Sequence, residues 1–111
     1  TDATLLDEQD RFWMMNYFFP GDTDLLPLND PIRETFGAGA THSQSKTVER
    51  LLEFQYTPEG IQLTNTPPIQ MQIESVDESR NWEGLVRLDG LGFLVVTDKF
   101  PKTIFGFIAY P

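Results

Sequence analysis

Short apolar runs alternate along this chain with breaks rich in Gly, Pro, Asp and Asn, and the pattern predicts strands. Residues 12–19 are aromatic and almost continuously apolar, which predicts a strand buried on both faces and closed by Pro20-Gly21. Residues 47–56 predict a second strand with Val48, Leu52, Phe54 and Tyr56 on one face, followed by a turn over Thr57-Pro58-Glu59-Gly60. Further strands are expected over 61–63 and 69–73. The break at Pro67-Pro68 suits a sheet edge, where a missing backbone donor is tolerated. Residues 82–88, 92–97 and 103–110 predict three more strands, the first two joined by Asp89-Gly90, a strong hairpin cue between apolar runs. Residues 21–46 hold no sustained periodicity. They are compatible with a short helix over 31–36, with Pro31 in its first position, and a loop of that length is usually functional or mobile.

The pattern repeats. Leu88-Asp89-Gly90-Leu91-Gly92-Phe93-Leu94-Val95-Val96-Thr97-Asp98-Lys99-Phe100-Pro101 overlays the stretch from Leu6-Asp7 to Phe19-Pro20, with one extra residue in the earlier turn. Phe12 falls on Phe93, Asn16 on Thr97 and Tyr17 on Asp98. Setting Leu52-Glu53-Phe54 on Phe105-Gly106-Phe107 carries the repeat into a third strand. Copies of one strand–turn–strand module stack side by side, and all-β blades of a propeller are the expected architecture. The expected division is 1–73, a first blade with an insertion at about 21–46, and 74–111, a second blade lacking its outer strand. The first blade begins late, its innermost strand reduced to residues 3–6. A clipped first strand and an absent last strand are expected at the end of a ring whose missing strand comes from the other end. Two blades leave apolar faces uncovered, so an isolated folded monomer is not expected.

Composition narrows the partners. The chain has 111 residues, enough for one domain with a core, and 40% are hydrophobic, which argues against wholesale disorder. A formal charge of −9 with only eight Lys plus Arg gives nucleic acid and anionic membranes no cationic footprint. No run approaches the roughly 20 apolar residues of a spanning helix. The absence of cysteine excludes disulfides, thiolate zinc sites and cysteine nucleophiles.

Asn81-Trp82-Glu83-Gly84-Leu85, then Leu88-Asp89-Gly90, then Phe93-Leu94-Val95-Val96-Thr97-Asp98, resembles a blade of the phytase-like β-propellers of the esterase-like phytase and SdiA-regulated type. Their blades open on Asn-x-Glu-Gly-Leu, cross a Gly-containing turn and end a strand on Ser/Thr-Asp. The first unit matches less well, with Asn16 and Tyr17 in place of Thr-Asp, and residues 21–46 match nothing. The resemblance implies an antiparallel β-propeller, here about two blades of a larger ring, and a secreted or periplasmic location. It implies that Glu83 helps bind calcium at the central channel, with Gly84 letting the backbone pass near the axis. Calcium takes about six to eight oxygens, so other blades, from the same parent chain or from copies of this one, would complete the site. The expected function is a noncatalytic calcium- or small-molecule-binding propeller segment; the alternative is a calcium-dependent phosphoesterase, for which Arg80, Arg87 and Lys99 are the nearby cations.

Each candidate has a plainer reading. Glu83 can be a strand-end carboxylate accepting a hydrogen bond from a neighbouring blade, and Asp98 can bond turn amides. Asp77 and Glu78 suit a solvated connector. Asp22 and Asp24 lack the Gly and distal Glu of an EF-hand loop. His42, the sole histidine, lies among small residues near Ser43 and Ser45 with no nucleophile-elbow pattern, so no catalytic residue is assigned. Phe12, Trp13, Tyr17, Phe18 and Phe19 are expected to pack in the core rather than to form a sugar platform.

Overall fold

Residues 11–17 do form a strand, and its neighbours build outward from it into the first of two antiparallel sheets. The computed structural model describes residues 2–17, 24–25, 29–38, 48–72, 80–99 and 102–111. The expectations for Phe18, Phe19, Asp22, His42, Ser43, Ser45, Asp77 and Glu78, and most of 21–46, lie outside the described residues.

In the first sheet, β1 (Arg11–Tyr17) pairs with β2 (Glu49–Thr57), whose far edge carries both β3 (Gly60–Leu63) and β4 (Ile69–Gln70). β3 meets β2 at residues 54–57 and β4 meets it at 50–51, so the two short strands are halves of one outer strand. Pro67 and Pro68 lie between the halves, where ladder donors are missing. On the other side of β1, residues 2–4 make one bridge, Ala3 to Met14, with Thr4 N donating to Trp13 O and Met15 N to Asp2 O. The expected innermost strand of this unit is thus a short bridged segment. Between β1 and β2 in the sequence is α1 (Pro31–Phe36), with Pro31 opening the helix and Asp30 capping it.

The second sheet is β5 (Trp82–Leu88), β6 (Gly92–Thr97) and β7 (Phe105–Ala109), in that spatial order. Its hairpin turns at Asp89-Gly90, where Gly90 takes φ 74°. The chain is therefore mainly antiparallel β, in two small sheets.

The sheets stack on a core formed by Trp13, Met15, Leu51 and Ile69 from one side and Trp82, Leu85, Phe93 and Val95 from the other. Trp13 meets the edge of Phe93 at 5.4 Å between ring centroids, and Tyr110 packs on Phe93 at 5.0 Å. Such aromatic pairs add to the stabilisation from apolar area alone. Phe93 faces the first sheet, whereas Phe12 faces away from the second and stacks on Phe54. With Phe12 matched to Phe93, the sheets pack front to back, as successive copies of one unit do, rather than as a two-fold sandwich. β1 and β6 also run the same way. Asp7, before the start of β1, lies by Arg87, which opposes the start of β6, and Tyr17, at the end of β1, bonds Asn81, which lies beside the end of β6.

The third-strand alignment needs a one-residue correction. Phe12 opposes Phe54 and Phe93 opposes Ile108, so Phe54 corresponds to Ile108 and not to Phe107. Spacing alone could not fix this, because the insertion between β1 and β2 removes the turn that would have set the register.

Candidate functional site

Trp82 and Leu85 are three residues apart, yet both are buried in the core between the sheets. A regular strand cannot place such a pair on one face. The register resolves this: Gly84 opposes Val96 but Trp82 opposes Thr97, a β-bulge with Glu83 as its extra residue. The bulge turns Trp82 into the core, leaves Glu83 exposed and shifts Asn81 into position beside Asp98. Gly84 belongs to this arrangement, because a Cβ there would sit 2.6 Å from Val96 Cγ1.

Asn81 is the hub. Its Nδ2 donates to Asp98 Oδ2 at 2.8 Å, its Oδ1 accepts from the Tyr17 hydroxyl at 2.6 Å, and its carbonyl accepts from Asp98 N at 3.1 Å. The Asn opening the motif, the Asp closing it and a tyrosine of the first sheet thus form one network beside Glu83. The Asp98 side chain is held in this network by Asn81. A second tie lies alongside: the buried Glu49 carboxylate takes the Arg80 guanidinium, with Nε at 2.9 Å from Oε2, and the Arg80 N–H at 3.0 Å. Arg80 also lies over Trp82, 5.0 Å from the ring centroid.

Among the described residues β5 is an edge strand, and alternate backbone groups on its outer side have no strand partner there. Asp2 meets one of them, its Oδ2 accepting from Leu85 N at 3.0 Å. Sequence reading missed Asp2, Tyr17 and Asn81 as ties between the sheets. The hairpin turn carried half of the signal, since a regular register would have put Trp82 opposite Asp98; only the bulge moves Asn81 there.

At the other end of β5, a cleft of about 450 Å³ lies between the two hairpin turns, lined by Asp7, Glu8, Arg11, Arg87 and Asp89 among others. Both arginines are paired: Arg11 Nε is 3.2 Å from Asp7 Oδ2 and Arg87 Nε is 3.1 Å from Asp89 Oδ1. Partial burial pushes the Asp7 carboxyl up, but the N–H groups of Arg11 and Gln9 and the Arg11 guanidinium outweigh it and hold the carboxyl below its ordinary value.

Among the described residues, no three His, Cys, Asp or Glu side chains come close enough together to hold a metal ion. No helix among them is long and apolar enough to cross a membrane. Comparison with protein-family models, curated proteins and solved structures finds no match to the chain.

Proposed function

We propose that the chain supplies two stacked blades of a phytase-like β-propeller and acts there as a noncatalytic calcium- or ligand-binding segment, with Glu83 as its contribution to the central site. The observation that carries this is the bulge. It sets Glu83 apart from the strand alternation of the edge strand β5, while Asn81, bonded to Asp98 and Tyr17, fixes the backbone before it and Asp2 holds Leu85 N after it. A carboxylate so placed suits a hard cation, and the remaining oxygens come from neighbouring blades. The blade reading is supported by the front-to-back stacking of the sheets and by the shared strand order of the two units. The phosphoesterase alternative needs cations to meet phosphoryl oxygens; of the three nearby, Arg80 and Arg87 are engaged by Glu49 and Asp89, which leaves Lys99 and favours binding.

Terbium, a luminescent calcium substitute, tests the site, because Trp82 adjoins Glu83 and can sensitise its emission. Sensitised emission that calcium displaces, and that Glu83→Gln weakens at least about tenfold, is the expected result (tenfold being about 1.4 kcal/mol). Equal emission from wild type and Glu83→Gln would remove Glu83 from the site.

A further inference from the structure

The second sheet leaves its front open. The residues there are Val86, Leu94, Val96, Phe105 and Phe107, paired across the strands as Val86–Leu94–Phe107 and Gly84–Val96–Phe105. Phe105 is 71% exposed, Phe107 55% and Val86 55%. With the corrected register, Leu94 and Val96 occupy the places of Trp13 and Met15, and Phe105 that of Leu51. In the first sheet those three are sealed against the back of the second. The open front therefore corresponds to a face that, where its counterpart is covered, takes the back of another such sheet.

A back of that kind is present on the chain itself. The first sheet turns Phe12, Leu52, Phe54, Tyr56, Ile61 and Leu63 away from the core, and its open part is Tyr56 (59% exposed), Ile61 (61%) and Leu63 (40%). The open parts of the two faces are at β7 and at Val86 of β5 on one, and at the ends of β2 and β3 on the other. Geometry prevents both from meeting within one chain, since the two faces point in opposite directions. Two copies can meet.

We propose that the Phe105–Phe107 front of one copy docks on the Tyr56–Ile61–Leu63 back of a second, repeating between chains the stacking found within one. This rests on the blade reading above. The contact is heterologous, each copy offering one front and one back, so association continues beyond a dimer until a ring closes.

The test is sedimentation velocity and native mass spectrometry of the full chain, with Phe107→Glu to disable the front and Ile61→Glu to disable the back. Both substitutions are at exposed positions. Wild type is expected to form assemblies larger than a dimer, each variant alone to be monomeric, and an equimolar mixture to stop at a one-to-one dimer. That last species requires one intact front and one intact back. Self-association of either variant alone, or a mixture that stays monomeric, overturns the proposal. The tryptophans Trp13 and Trp82 both lie between the sheets and report their stacking. A monomeric wild type with blue-shifted emission overturns the second copy as partner but leaves the stacked pair intact. A monomeric wild type with water-exposed emission overturns the blade reading as well.

Discussion

Gly92 and Gly84 both sit in the hairpin of the second sheet, yet the demands on them differ. Gly92 has φ 153°, and a Cβ there would lie 2.1 Å from Ile108 O and 3.0 Å from Ala109 Cα. Backbone cannot rotate away. At Gly84 the obstacle is the Val96 Cγ1 methyl, which a rotamer change can move. Gly92→Ala is therefore expected to cost about 3 kcal/mol, in the range for backbone strain combined with overpacking, and Gly84→Ala about 1 kcal/mol. Urea unfolding of the two variants checks the order; equal midpoints would show that the approach of β7 to Gly92 is not tight. The glycine was legible in the sequence as a turn neighbour. Its close contact with Ile108 was not, because that partner comes from another strand.

At the scale of elements, strand positions were largely readable and their terms of attachment were not. Apolar runs and the turns between them located β1, β2 and β5 to β7 to within a few residues, and Pro67-Pro68 marked the break between β3 and β4. Nothing in the local pattern announced Glu83 as a bulge, since a bulge is defined only against the partner strand. α1 is a similar case: Pro31 suggested it, but its anchor is tertiary. Asp30 caps the helix through Ile32 N and Arg33 N and pairs with Arg50, whose Nη1 is 2.8 Å from Oδ2; Arg50 Nε donates to Asn16 at 2.7 Å. Burial raises the Asp30 carboxyl, but Arg50 and the two N–H groups outweigh it and hold the carboxyl below its ordinary 3.8. A depressed carboxyl contributes stability that is complete above the unfolded value near 3.8 and is lost as pH falls through the lower folded value. Asp30→Asn keeps a capping oxygen and removes the charge from beside buried Arg50. It is expected to cost about 2 kcal/mol at pH 7 and to flatten the acid limb of the stability profile. An unchanged acid limb in thermal melts from pH 2 to 5 would remove Asp30 as its source.

For the whole molecule the question is what joins the sheets. Apolar stacking supplies most of the area, but area alone sets no register, and polar ties at Asp2, Tyr17 and Glu49 reach across to Leu85, Asn81 and Arg80. Glu49 is the most buried of these residues. Glu49 is 1% exposed, and its carboxylate holds both the guanidinium and the backbone N–H of Arg80. Taking one charge from a buried pair strands the other, which typically costs more than replacing both with neutral groups. The two halves are not equivalent. Arg80→Met takes the guanidinium from the buried Glu49 carboxyl and is expected to cost about 3–4 kcal/mol, whereas Glu49→Gln keeps an acceptor for Arg80 and leaves the guanidinium nearer solvent, costing about 2 kcal/mol. The double variant should recover part of the loss, with a coupling of about 1–2 kcal/mol in a double-mutant cycle. Tryptophan emission during unfolding is the appropriate readout, since Trp13 and Trp82 lie in the same interface. A coupling near zero would mean that the sheets are aligned by apolar shape alone and that the Glu49–Arg80 tie follows from the stacking instead of directing it.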